Sequence, residues 1–543
     1  MKLWLTLSIA SLVVAVAACS SDHAAGPTAG NCGPGGTPVS LVVGGYLAVD
    51  PGSDSGCVRF AANGGVDSME YLLVPQSAAG VSGEVSPFQL TGGAITVAAG
   101  AALATRAPLP GGHGAVAEQF DATLRGMARA KAYPVNVRSA TAAVQAAGPT
   151  SVRSFTLCGN LSCSSFKTVT ASQRVLGAHV AIYVDTMAPA AGLDSADLDS
   201  LSQILDSRLF PLDTTTFGSV SDIDANGVVI VLMTGAVNAL VSRAQCHADG
   251  YVAGFFFGGD LDPAFASQFN HGEIYYSIVA DPDSTLSCAH SRDEVKQSTP
   301  VTFTHEFQHM ISFVQHVLVR GGDPEEGWLD EGLSKYAEEL GGRSYLPGDP
   351  GTFSQYLIGD VFDAYQYLNA TGNSPLLIPA DTGSLAEVGA SWLFVRYLVD
   401  QFGDSLPRKL HETSLVGAAN VTAQTGESFE TLVERWALAN WVSDLPGFTA
   451  PAELHYSSWH FRNTFGSLNS QDPADFPQPY PLVPARGLGR LVNLSGSLRS
   501  GSGMYQRALQ APGDSAFSLY FRANGYIAIA PAVVPRLTIV RIR

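Results

Sequence analysis

Charged side chains are scarce in this chain: Asp, Glu, Lys and Arg make up 14% of 543 residues, against the roughly 25% usual in soluble domains. Basic residues are the scarcer sign, 30 against 48 acids, and the formal charge of −18 argues against nucleic acid as the main partner. That acidity identifies no substrate, because an acidic surface is ordinarily a solubility device. Cysteine is sparse too, and the seven include no Cys-x-x-Cys pair, which argues against a thiolate zinc site. No internal repeat is evident. What is abundant is Gly, Ala, Ser and small apolar residues, in a chain long enough for a large core and roughly two to four domains.

The N-terminus is more decisive. Lys2 precedes an apolar run from Leu3 to Ala18, which ends in Val16-Ala17-Ala18-Cys19. At about 16 residues the run is short for a spanning helix, and it reads as a secretory signal over residues 1–18. A cut before Cys19 resembles the bacterial lipoprotein signal, in which that cysteine is acylated. The resemblance implies membrane contact through a lipid on Cys19 and export from a bacterial cell. Ser20 after the cysteine resembles the outer-membrane sorting preference. Residues 19–38, rich in Gly, Ser, Ala and Pro, read as a flexible tether. Setting Cys19 aside leaves an even number of cysteines for an oxidising compartment. Sequence proximity favours the pairs Cys32–Cys57, Cys158–Cys163 and Cys246–Cys288, although spacing alone fixes no connectivity.

The chemistry is concentrated in two segments, His305-Glu306-Phe307-Gln308-His309 and Trp328-Leu329-Asp330-Glu331-Gly332. Residues four apart on a helix share a face, so His305 and His309 can present two imidazoles to one metal ion. Glu306 sits beside that face, where a carboxylate can accept a proton from activated water. Thr299-Pro300 reads as a helix entrance, followed by Val301, Phe303, Phe307, Met310, Ile311, Val314, Val317 and Leu318. A helix so apolar should be buried, and a buried helix has little reason to carry those polar groups without a partner. Gly321-Gly322 ends it, Asp323-Pro324 can start the next, and Trp328, Leu329, Leu333, Tyr336, Ala337 and Leu340 recur there at helical spacing.

A third ligand must be chosen among rivals. His316 would need Gly at Ser312 and His at Gln315 to fit the longer histidine pattern, and both positions fail. Glu338 and Glu339 read as a solvated face or as hydrogen-bond partners of the ligands. Glu331 is preferred, giving two His, one Glu and an open position for zinc. Asp222-x-Asp224-x-Asn226-Gly227 resembles the opening of a Ca2+ loop, but Met233 stands at the twelfth position, where a bidentate Glu belongs. An Asn-Gly turn before a strand is the favoured reading, with calcium at Asp222, Asp224 and Asn226 as the alternative.

Alternating apolar runs from Pro38 to Val97 predict a small β-sandwich, and Val116–Ala132 predicts a helix with Phe120, Leu124 and Met127 on one side. Strands are expected at 153–157, 180–184, 228–233 and 273–279, with helices at 197–209, 389–402 and 429–442. After Pro479 the pattern returns to β and predicts a second sandwich. The organisation expected is an N-terminal β module with helical connector (39–149), a central domain (150–478) and a C-terminal β-sandwich (479–543).

Together these segments resemble the hyicolysin family of bacterial zinc metallopeptidases. The resemblance rests on Thr304–Ile311 and Trp328–Ser334, with weaker support from Asp222–Gly227, Gly389–Leu398 and Ile539–Ile542, and covers roughly residues 150–445. The Trp-Leu-x-Glu-Gly element is also similar to the broader gluzincin group, apart from Asp330, where Asn is commoner. The resemblance implies an α+β, zincin-like core with β-rich upper and helical lower parts. It further implies His305, His309 and Glu331 as ligands of one Zn2+, Glu306 as catalytic base, and a protein or peptide substrate. An oxyanion donor is expected among residues such as Tyr336, Tyr365, Tyr367, Tyr397 and His411, without a choice between them. The competing reading is a cell-surface binding or adhesion protein with a structural or silent metal site. Oligomeric state is not legible.

Overall fold

Alternation at the two ends of the chain builds one β-sandwich rather than two. The computed structural model describes residues 36–53, 56–92, 115–134, 152–378, 383–523 and 527–543. The N-terminal strands are β1 (Thr37–Val39), β2 (Tyr46–Val49), β3 (Cys57–Phe60), β4 (Met69–Ser77) and β5 (Val85–Thr91). The central strands are β6 (Val152–Cys158), β7 (Phe166–Leu176), β8 (Val180–Asp185), β9 (Val229–Met233), β10 (Gly254–Phe256) and β11 (Ile274–Ser277). The C-terminal strands are β12 (Ala485–Leu488), β13 (Asn493–Arg499), β14 (Gln506–Gln510), β15 (Phe517–Arg522) and β16 (Pro535–Arg541).

The expectation of separate N- and C-terminal modules is corrected by the strand order. One sheet runs β1-β3-β15-β5-β13 and the other β12-β14-β4-β16-β2, so strands from both ends alternate. Phe517 pairs with Phe60 and Ile539 with Leu73, and these side chains meet in a shared core with Val58, Leu90 and Leu519. Each half alone would leave open edges along β3, β4 and β5, and closing them with the other half satisfies the backbone. Tyr526 lies outside the described residues, and 527–530 form no strand.

The central sheet has the order β10-β11-β9-β8-β7-β6. β8, β9 and β11 are parallel, while β10 runs antiparallel to β11 as the edge strand. Val229–Met233 is buried throughout, which suits a strand covered on both faces.

From β11 the chain enters the long helix Arg292–Phe313, buried from Thr299 onward, and leaves it through the π-helical turn Val314–Val319. Its start lies upstream of the expected Thr299-Pro300 entrance. Ser291 caps the amide of Glu294, whose side chain caps Ser291 in return, and this box nucleates the earlier turns. Pro300 then sits inside the helix, at the cost of one backbone bond. The next helix, Gly327–Arg343, begins after Pro324 rather than at it. The Glu325 side chain accepts the amides of Glu326 and Gly417, which holds that entry as an extended link. Helices Pro350–Asn369, Leu385–Phe402 and Phe429–Val442 are the longest of those that follow. Gly332 is needed here: a Cβ on it would stand 2.7 Å from the Ser391 carbonyl oxygen, so the two helices touch backbone to backbone.

Candidate metal centre

Three donor side chains meet where the helix Arg292–Phe313 crosses the helix Gly327–Arg343. His305 and His309 lie one turn apart, and their Nε2 atoms are 3.1 Å from each other. Glu331 faces both, with Oε2 3.4 Å from His305 Nε2 and Oε1 3.7 Å from His309 Nε2. All three residues are buried. Donors bound at zinc distances around a tetrahedral ion stand about 3.3 to 3.4 Å apart. The observed spacings bracket that value, so the residues present fit one zinc ion.

Each imidazole is held from behind. His305 Nδ1 lies 2.7 Å from Glu338 Oε1. His309 Nδ1 lies 2.9 Å from Asp330 Oδ2. A carboxylate at Nδ1 leaves Nε2 as the nitrogen available to a metal. Glu338 is itself tied to Lys335, whose Nζ is 3.3 Å away and 3.2 Å from Asp360. Gln308 Nε2 comes within 3.5 Å of Asp330 and donates to His411 Nε2 at 2.8 Å. His411 can accept because Nδ1–H is given to the Pro407 carbonyl and burial, then the neighbouring His316, push its pKa down to about 3.

Burial disfavours charge on these groups, and their neighbours decide which keep it. For Glu331, Arg125 and then the two histidines outweigh burial and hold the carboxyl well below its usual range. For His305, burial is outweighed by Glu331 and Glu338, and the pKa rises well above 6.5. For Glu306 nothing outweighs burial, and the negative charge of Asp121 adds to it, so the carboxyl is pushed well up. Glu306 Oε2 accepts the amide of Phe256, in edge strand β10, at 3.0 Å. Its Oε1 has no hydrogen-bond partner among the described residues, and Glu306 lines the cleft together with His309 and Phe256.

The structure brings His305, Glu306, His309 and Glu331 together and places other sequence candidates elsewhere. His316 Nε2 is 3.7 Å from Glu325, outside the cluster. Glu339 is no solvated-face residue, because Trp392, Trp459, Arg343 and Arg396 surround its carboxylate. Tyr336, Tyr365, Tyr367, Tyr397 and His411 do not line the cleft. Asp222–Gly227 forms a turn in which Asp222 Oδ1 accepts the amides of Asn226 and Gly227. Asp222 and Asp224 do approach Glu273, while Asn226 donates to Asp224 Oδ2 at 2.9 Å and its Oδ1 accepts the Val228 amide. Cys158–Cys163 and Cys246–Cys288 are disulfide-bonded. Cys19 and Cys32 lie outside the described residues, with the signal segment and the Cys32–Cys57 pairing. Among the described residues no helix is long and apolar enough to cross a membrane.

Sequence reading found the helix Ala115–Ala130 but missed what its other face carries. Asp121 and Arg125, in step on that face with the buried Glu118, reach the candidate donors: Arg125 pairs with Glu331 Oε1, and Asp121 groups with His305 and Glu306. Their spacing on one helical stripe, in an Ala-rich stretch with few charges, was the available signal.

No family model matches the chain. It is 24% identical over 243 residues, 44% of its length, to the neutral metalloprotease ShpI of Staphylococcus hyicus. That alignment covers 48% of the relative, so the chain spans about half the length of the curated relative it matches. Among solved structures it is similar to an M1 zinc metallopeptidase of Deinococcus radiodurans bound to a Tyr-Ser-Ala substrate. The identity there is 15% over 56% of this chain and 63% of that one, and a TM-score of 0.27 is too low to carry any argument.

Proposed function

We propose that this chain is a zinc-dependent endopeptidase, exported from a bacterial cell, held to the outer membrane or cell surface by a lipid on Cys19, and acting on protein or peptide substrates. The observation that carries the reading is the convergence of His305, His309 and Glu331 beside Glu306, a buried carboxylate with one oxygen unpartnered among the described residues. Similarity to a neutral metalloprotease supports it. Zinc held by the three donors would supply Lewis acidity, lowering the pKa of water towards ~7 and polarising a carbonyl. Glu306 takes the proton from the attacking water and returns it to the leaving amine. Edge strand β10 lies beside it and offers a backbone edge on which an extended substrate can pair.

The binding-protein alternative is weaker on the same observation, since a structural site needs donors but no base. The test is cleavage of casein or a quenched peptide by the zinc-loaded chain, with Glu306→Gln and a chelator as controls. The reading expects activity lost in both controls while Glu306→Gln still binds zinc. Equal activity in wild type and Glu306→Gln would overturn it.

A further inference from the structure

The cleft above the donor cluster is already filled by the chain itself. The helix Ala115–Ala130 lies in it, seated in the main core through Ala117, Phe120 and Leu124, with Phe120 edge-on to Phe255 at 5.0 Å. Arg125 makes an ion pair with Glu331 Oε1, and both side chains are largely buried, 11% and 2% exposed. Asp121, 4% exposed, brings a carboxylate oxygen within 4.8 Å of donor atoms of His305 and Glu306. One turn further on, Arg129 donates to the Glu325 carbonyl at 2.8 Å. The space left between this helix, Glu306 and His309 is about 40 Å3, enough for a few waters and far too small for a peptide.

Two consequences follow from charge and from volume. Glu331 Oε1 faces His309 and is also the oxygen held by Arg125, so a divalent ion and the guanidinium compete for it. A peptide chain cannot approach Glu306 while Asp121 and Leu124 line the same cleft. We propose that the helix Ala115–Ala130 is an internal inhibitor of the metal centre, with Arg125 opposing metal at Glu331 and Asp121 blocking the approach to Glu306, and that it leaves the cleft before substrate enters. The assignment of what enters rests on the peptidase reading, whereas the competition between helix and metal does not.

Binding free energies are reciprocal: if the docked helix weakens zinc binding, zinc weakens docking of the helix by the same factor. The experiment is hydrogen exchange on the full wild-type chain, comparing zinc alone with chelator alone. Zinc should speed exchange in 115–130 relative to the reference helix Ser195–Ile204. Unchanged or slower exchange there overturns the proposal. In parallel, Arg125→Gln should bind zinc at least tenfold more tightly in a chelator competition, and a synthetic peptide of residues 115–130 should lower its peptide-cleaving rate. Equal or weaker zinc binding by the folded variant also overturns it. If exchange and affinity shift as expected but the zinc-loaded variant cleaves no peptide, the peptidase reading falls and the inhibitor assignment stands.

Discussion

Glu338→Gln separates a residue that positions a candidate zinc ligand, His305, from one that merely fills the core. The carboxylate sits 2.7 Å from His305 Nδ1 and also 3.3 Å from Lys335 Nζ. Glutamine keeps the volume and one acceptor oxygen but loses the charge that favours Nδ1–H, and partners of this kind are worth about 10- to 100-fold in metal affinity. That factor is about 1.4 to 2.8 kcal/mol. At a fixed saturating zinc concentration the stabilisation that zinc confers should shrink by the same amount. Lys335 retains Asp360 at 3.2 Å, so the apo protein should lose only about 1 to 3 kcal/mol. The assay is zinc competition against a chelator, paired with denaturation of the apo and zinc-loaded forms. A variant that melts earlier without zinc yet binds zinc as tightly as wild type would refute the positioning argument.

Other parts of the fold give independent tests. Gly332→Ala should destabilise by about 1 to 3 kcal/mol in denaturant titration, because the new methyl meets the Ser391 carbonyl at 2.7 Å; a neutral result would mean that the helices can part freely. Asp260, buried with Tyr276 and Asn270 on its oxygens, has its pKa pushed by burial from 3.8 to about 7. Its folded form holds the proton more tightly than the unfolded chain, so this group's contribution to stability falls as pH rises from about 4 to about 7. Asp260→Asn should therefore gain on wild type across that window by up to about 4 kcal/mol, and a difference independent of pH would contradict the assignment. Removing Cys246–Cys288, which closes 42 residues, should cost about 4 kcal/mol, against about 2 for Cys158–Cys163, which closes 5. Equal losses in the paired Ser variants would contradict the loop-length argument.

The donor cluster was legible because it is local: His305 and His309 share a helix face by periodicity alone, and Glu331 follows after a single break. Strand identity was legible for the same reason at Val229–Met233, where a short apolar run led by three β-branched residues reads as a buried strand. What stayed hidden depends on contacts between distant segments. Nothing in residues 39–97 announces that β15 will insert between β3 and β5, since each strand's alternation is satisfied by any partner. Thr299-Pro300 drew the expected helix start downstream of the capping box that Ser291 and Glu294 form. The spacing of Glu118, Asp121 and Arg125 names no partner, and Glu331 lies about two hundred residues away.

The central claim is that His305, His309 and Glu331 hold one zinc ion beside Glu306. Anomalous diffraction at the zinc edge, from crystals of the full chain grown with zinc, tests it most directly. A single peak is expected about 2.0 to 2.2 Å from His305 Nε2, His309 Nε2 and a Glu331 carboxylate oxygen. No peak there, or a peak confined to Asp222, Asp224 and Glu273, would contradict it.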